Sequence, residues 1–157
     1  MYDMFTERAR RAIVHAGDEA RRFGHDYIGT EHILLGLVKE GTGAVAHVLR
    51  QNSVSLEDVR DRIVNVVRTG PPLGSDKQLA FTPRAKEMLE RAMAESRALK
   101  ASYVGTEHLL LALLHDKSAL AGNLLMDMGL QLEAVRRQVL EFLGAMGGTS
   151  NGTEGSG

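Results

Sequence analysis

Tyr27-Ile28-Gly29-Thr30-Glu31-His32 is repeated in this chain of 157 residues as Tyr103-Val104-Gly105-Thr106-Glu107-His108, at an offset of 76 positions. The same offset relates Phe5-Thr6 to Phe81-Thr82, Leu49 to Leu125, and Val59-Arg60 to Val135-Arg136. A constant offset of this length indicates a duplicated supersecondary unit. The chain therefore divides into repeat one (residues 5–68), a linker (69–80) that contains Pro and Gly, and repeat two (81–144).

The periodicity of the apolar residues predicts helices throughout both repeats. In the first helix, residues at spacings of three and four form one apolar stripe: Phe5, Ala9, Ala12, Ile13, Ala16, Ala20 and Phe23. No segment alternates with a period of two, so no β-sheet is expected. We predict an all-α protein with four helices in each repeat. In repeat two the predicted helices are about 82–99, 106–115, 118–128 and 132–144.

Threonine residues mark the predicted starts of four helices. Thr6 and Thr82 lie where an N-cap residue belongs, and Pro83 suits the first helical position, where a missing N–H costs nothing. Thr30 and Thr106 are expected to cap the second helix of each repeat. Each start leaves backbone N–H groups at the positive end of a helix dipole, which is a potential anion site.

The composition indicates one folded domain. Apolar residues make up 43% of the chain, and two repeats of this size could share a single core. We expect residues 1–145 to form that domain and the Gly-rich residues 146–157 to form a flexible tail. There is no cysteine, no long apolar run and no secretion signal at the N-terminus, so the expected location is the cytoplasm, without a membrane partner.

The charge balance argues against nucleic acid as a partner. Repeat one carries ten Lys and Arg against nine Asp and Glu, and repeat two carries eight of each. Neither repeat is the basic surface that phosphate-backbone binding requires. A helix-turn-helix DNA-binding protein is therefore disfavoured.

Nucleotide-binding motifs are not found in the sequence. It contains no Walker A string and no Gly-x-Gly-x-x-Gly, so ATP hydrolysis by this chain is not expected. A small enzyme or metal site using Glu31, His32, Glu107 and His108 is an alternative. We expect no metal and no cofactor, because adjacent Glu and His side chains diverge on a helix and zinc generally needs three convergent ligands.

The recurrence of Gly-Thr-Glu-His on a polar stretch calls for an explanation beyond core packing. An acidic residue in the first helical turn is favourable through the helix dipole alone. That accounts for a glutamate, whereas the histidine adds nothing obvious to helix stability. A functional role for Glu31 and Glu107 therefore remains open beside the structural one.

The chain resembles the Clp N-terminal domain, the double repeat that precedes the ATPase rings of bacterial Clp unfoldases, and especially the ClpC type. The motifs that carry the resemblance are Phe-Thr-x-Arg-Ala and Tyr-Ile-Gly-Thr-Glu-His-Ile-Leu-Leu-Gly-Leu, and it covers about residues 1–145. It implies a pseudo-twofold, eight-helix domain that binds adaptor proteins and delivers substrates to a Clp ATPase ring, in cis or in trans.

In ClpC-type members, the resemblance further implies a receptor for phosphorylated arginine on substrates. It places Thr6 with Glu31 in one phosphoarginine site, and Thr82 with Glu107 in its pseudo-symmetric partner. The phosphate would suit a helix N-terminus and the guanidinium a carboxylate.

Repeat two departs from the family pattern after its second helix. Leu111-Ala112-Leu113 replaces the usual Leu-Gly-Leu, and His115-Asp116-Lys117-Ser118 replaces the usual Glu-Gly-Glu-Gly. We expect adaptor surfaces built from these segments to differ. The competing interpretation is a stand-alone helical regulator that keeps the fold without an unfoldase as its partner.

Overall fold

The computed structural model of the chain describes residues 2–147. A short 3-10 helix, Tyr2–Met4, precedes repeat one. Repeat one consists of α1 (Glu7–Arg22), α2 (Thr30–Glu40), α3 (Gly43–Gln51) and α4 (Leu56–Val64). Repeat two consists of α5 (Pro83–Ala98), α6 (Thr106–His115), α7 (Leu120–Asp127) and α8 (Leu132–Gly147). Within the described part of the chain, the prediction of an all-α fold with four helices per repeat is confirmed.

The second helix of each repeat lies at the centre of the molecule. Every residue of α2 from Thr30 to Leu37 is buried, as is every residue of α6 from Thr106 to Leu114. A helix that is apolar around most of its circumference is stable only inside a core. α2 contacts α5, α6 and α7, and α6 contacts α1 and α3, so one continuous core includes side chains from both repeats.

The prediction of no β-structure is wrong at two short places. Strands β1 (Tyr27–Ile28) and β2 (Ala80–Phe81) pair in parallel, with Ile28 opposite Phe81. An isolated parallel bridge joins Phe5 to Val104. Each pairing is too short to produce an alternating pattern, and its backbone partner is distant in sequence, so periodicity could not reveal it.

Three predicted boundaries shift by a few residues. Ala80, assigned to the linker, belongs to β2, and α8 continues to Gly147, beyond the predicted end at residue 144. α7 begins at Leu120 rather than at residue 118. The remainder of the predicted flexible tail, from residue 148 onward, lies outside the described residues.

Candidate docking sites

Thr6 and Thr82 are N-cap residues, as predicted. The Oγ1 atom of Thr6 accepts a hydrogen bond from the N–H of Ala9 at 3.1 Å, and the Oγ1 atom of Thr82 accepts one from the N–H of Ala85 at the same distance. Each hydroxyl keeps its own proton to donate. Pro83 is the first residue of α5, so that helix start has one N–H fewer than the start of α1.

The predicted caps of α2 and α6 are wrong by one residue. Gly29 and Gly105 are the N-cap residues, and Thr30 and Thr106 are the first residues inside the helices. Thr30 instead uses its Oγ1 atom to accept from the N–H of Ala121 at 3.3 Å. The hydroxyl therefore connects α2 to α7 of the other repeat.

The two histidines of the motif stabilise the helix starts, contrary to the sequence-based interpretation. The N–H of Gly29 donates to Nδ1 of His32 at 2.9 Å, and the N–H of Gly105 donates to Nδ1 of His108 at 2.9 Å. This is half of a capping box, with imidazole in place of the usual Glu or Gln. Burial lowers the pKa of His32 to about 3 and that of His108 to about 4, so both rings are neutral acceptors at pH 7.

The polar motif is buried rather than exposed. Glu31 is 7% exposed and Glu107 is 0% exposed. The reason is that each helix start is covered by a segment from the other repeat. The N–H of Thr82 donates to the carbonyl of Ile28 at 2.9 Å, and the N–H of Thr6 donates to the carbonyl of Val104 at 2.9 Å.

These backbone bonds overturn the predicted pairing of Thr6 with Glu31 and of Thr82 with Glu107. Thr82 lies beside the segment that leads into Glu31, and Thr6 lies beside the segment that leads into Glu107. Each candidate site therefore combines a helix start from one repeat with a carboxylate from the other.

Helix geometry explains why the within-repeat pairs cannot form. α1 and α2 are antiparallel: Arg11, near the start of α1, is 3.5 Å from Glu40 at the end of α2. Thr6 and Glu31 are consequently at opposite ends of this helix pair, and a helix of 16 residues spans about 24 Å. In repeat two, Arg84 at the start of α5 is 3.2 Å from Asp116, just after α6, so the same geometry recurs.

Glu107 has an incompletely satisfied carboxylate. Tyr103 donates its phenolic proton to Oε2 of Glu107 at 3.2 Å, whereas Oε1 is buried without a hydrogen-bond partner among the described residues. Burial raises the pKa of Glu107, partly opposed by the backbone N–H of Glu107 itself, by Tyr103 and by the positive charge of Arg8. Arg8 belongs to α1, which is the helix whose start is capped by Thr6.

Glu31 occupies the equivalent position in a different environment. Burial raises its pKa, opposed by its own backbone N–H and by the nearby His25. His25 stacks on Tyr27 at 5.1 Å between ring centroids, and its Nδ1 atom lies 2.8 Å from Nε2 of His32. Because Nδ1 of His32 accepts from Gly29, Nε2 of His32 is the donor in this pair. Repeat two has Ala101 in place of His25, so the two sites differ here.

Two equivalent buried ion pairs, one in each repeat, were not predicted from the sequence. Glu19, 1% exposed, binds Arg60 through two hydrogen bonds of 3.0 and 2.6 Å, and Glu95 binds Arg136 through two of 3.1 Å. The two glutamates and the two arginines are each separated by the repeat offset of 76, and this recurrence could have predicted the pairs. They join the first helix of each repeat to the fourth, and their role is therefore structural.

Residues 2–147 contain no group of three or more His, Asp or Glu side chains arranged to hold a metal ion. In the same range, no single helix has the length and apolar composition of a membrane span. α6 and α7 pass that test only as a pair with a bend of 89° between them.

The eight described helices and their shared core define an all-helical double-repeat domain, and comparison with known proteins identifies its family. Residues 4–125 and 80–156 match the Clp repeat (R) N-terminal domain family. The chain belongs to this family. It is 41% identical over 145 residues to the negative regulator of genetic competence ClpC/MecB of Bacillus subtilis (strain 168), covering 92% of this chain and 18% of that protein. The chain thus spans about a fifth of the length of this relative.

Solved structures share the fold. The N-terminal domain of the chaperone ClpD from Arabidopsis thaliana is 25% identical, with a TM-score of 0.73, and the match covers 91% of this chain and 96% of that one. A complex of a ClpV N-domain with a VipB peptide is 21% identical, with a TM-score of 0.65, covering 91% and 86%. The recognition of a Clp N-terminal domain from the sequence is confirmed.

Proposed function

We propose that this domain docks adaptor and substrate proteins for a Clp ATP-dependent unfoldase that is present in the same polypeptide or as a separate subunit. Its family membership and its 41% identity to a ClpC protein support this function. The ClpV N-domain that was solved with a VipB peptide shows that a domain of this fold can hold a peptide.

The observation that carries the proposal is the duplicated junction of a helix start with a buried carboxylate. Thr6 and the first turn of α1 face the segment of Glu107, and Thr82 and the first turn of α5 face the segment of Glu31. Each junction offers positive dipole and N–H groups next to a negative charge. A ligand with an anionic and a cationic end matches both parts.

Phosphoarginine is such a ligand. Its phosphoryl group would accept hydrogen bonds from the helix start and from the hydroxyl of Thr6 or Thr82. Its guanidinium group would donate to the carboxylate of Glu107 or Glu31, with the favourable geometry of such pairs. The unpartnered Oε1 of Glu107 supports this assignment, because a buried carboxylate oxygen without a donor is stabilised when a cation supplies one.

Isothermal titration calorimetry with free phosphoarginine tests the proposal. We expect saturable binding to the wild-type chain, and loss of the binding heat in the double variant Glu31→Ala/Glu107→Ala. A matched control, Glu57→Ala/Glu141→Ala, removes two exposed carboxylates outside both sites and should bind as the wild type does. Free arginine, which has only the guanidinium group, and inorganic phosphate, which has only the anionic group, should bind much more weakly. Equal heats for wild type and site variant, or no binding to the wild type, would refute the phosphoarginine assignment.

A further inference from the structure

The first helix pairs of the two repeats are equivalent in sequence but differ in packing. In repeat one, a methyl group placed on Gly36 of α2 would overlap the carbonyl oxygen of Ala12, so α1 and α2 touch backbone to backbone. The residues at the same two positions of repeat two are Ala112 and Met88, which are both larger. Because there is no room for these side chains at the spacing of α1 and α2, α5 packs less closely on α6 than α1 does on α2.

A cleft of about 510 Å³ opens between α5 and α6. Its floor is apolar, since Met88 is 4% exposed and Ala112 is 1% exposed. Ala94 also lines it, and the charged groups stand at the rim. This volume falls within the range of small-ligand sites, about 300–1,000 Å³, and accommodates one long side chain with some adjoining backbone.

The charges at the rim are the second difference between the repeats. In repeat one, Arg11 lies 3.5 Å from Glu40 and joins α1 to α2. The equivalent positions in repeat two are Glu87 and Asp116, which are both acidic and both line the cleft. The cation that bridges the two helices in repeat one is therefore replaced by a carboxylate.

The cleft as a whole favours a cationic ligand. Glu90 adds a third carboxylate at the rim, while Arg91 is the one guanidinium among the lining residues. Asp116 is paired with Arg84 at 3.2 Å, a residue outside the lining. Glu87 and Glu90 form no ion pair with any residue in the described range. Two exposed carboxylates above an apolar floor are thus left to interact with a partner.

We infer that this cleft binds a lysine or arginine side chain from a partner protein, presented among small apolar residues. The ammonium or guanidinium group would lie beside Glu87 and Glu90, the two lining carboxylates that form no ion pair in the described range. The neighbouring apolar side chains would cover Met88 and Ala112. None of the four candidate phosphoarginine residues lines the cleft, so the two kinds of site are separate.

Nuclear magnetic resonance titration of the full 157-residue chain tests this inference. The probes are three acetylated and amidated heptapeptides, Ala-Leu-Ala-X-Ala-Leu-Ala, in which X is lysine, arginine or glutamine. We expect the lysine or arginine peptide to cause saturable amide shifts at Ala94 and Ala112, with a dissociation constant of roughly 1 mM. The glutamine peptide should bind at least about tenfold more weakly, since it lacks the charge.

Two variants distinguish the contribution of the acidic charge to peptide binding from that of the cleft volume. Glu87→Arg restores the ion pair of repeat one and should abolish the shifts, and Ala94→Leu should weaken them by occupying the cleft. Glu141→Arg, the same charge change at an exposed position of α8, and Glu31→Ala/Glu107→Ala should both bind as the wild type does. Thermal melts verify that the variants are folded. Absence of cleft shifts with every peptide, equal binding of the glutamine peptide, or unchanged binding to a folded Glu87→Arg variant would each overturn the inference.

Discussion

At the scale of single residues, Glu107 lies in an environment that a carboxylate does not ordinarily prefer. It is fully buried, one carboxylate oxygen lacks a partner among the described residues, and burial raises its pKa. Such a group reduces the stability of the unliganded fold once it ionises. Under the proposed function, a cationic ligand would compensate this loss of stability.

Replacing this carboxylate by an amide should stabilise the domain at neutral pH. The unfolded chain loses its proton near the ordinary pKa of 4.5, while the folded chain keeps it to higher pH, so wild-type stability falls as the pH rises through this window. The Glu107→Gln variant has no ionisable group at this position, so its stability does not fall over this pH range. Thermal melts should show a melting temperature higher by about 2–4 °C at pH 7, and no difference below about pH 4.

The exposed Glu141 provides the matched control, since Glu141→Gln should change the melting temperature little at either pH. If Glu107→Gln were less stable than the wild type at pH 7, or if the difference were independent of pH, the carboxylate would be a structural element. The buried carboxylate of Glu107 would then give no support to a cation-binding site.

At the scale of elements, the close packing of α1 on α2 depends on Gly36. A methyl group there meets the backbone of Ala12, which cannot move without displacing α1. Gly36→Ala should therefore lower the free energy of unfolding by about 1–3 kcal/mol, the usual range for overpacking, even though alanine is the better helix former. Urea denaturation followed by circular dichroism measures the change.

A glycine-to-alanine substitution in α8 should change the free energy of unfolding in the opposite direction. Nothing lies within 4 Å of the position that a Cβ atom would take on Gly144. Gly144→Ala should raise the free energy of unfolding by about 0.5–1 kcal/mol through helix propensity alone. Equal effects of the two substitutions would contradict the backbone contact between α1 and α2.

The elements that the sequence predicted well are those with local causes. Thr6 and Thr82 cap their helices because capping is decided within four residues, and the apolar stripe of α1 recurs in the core. The burial of Glu31 and Glu107 and the short pairing of Phe81 with Ile28 depend on segments from the other repeat. The grouping of the site residues within repeats was implied by the resemblance and is contradicted by the backbone bonds; contacts between distant segments leave no periodic pattern that could have corrected it.

At the scale of the whole molecule, the duplication brings together two candidate sites, each built from residues of both repeats. Phe5 of repeat one pairs with Val104 of repeat two, and Phe81 of repeat two pairs with Ile28 of repeat one. A single core holds the repeats together, so the position of each helix start relative to the opposite carboxylate is fixed by the packing between repeats. The central claim is therefore that each proposed phosphoarginine site is shared between the repeats.

An amide-resolved titration of the Thr6→Ala variant with phosphoarginine tests that claim most directly. The amides of Gly29 and Gly105 report on the segments of Glu31 and Glu107, respectively, and both should shift in the wild-type chain. In Thr6→Ala, we predict that the ligand-induced shift of Gly105 is lost while that of Gly29 is retained, with the reverse in Thr82→Ala. Loss of the Gly29 shift in Thr6→Ala, with the Gly105 shift intact, would contradict the crossed arrangement.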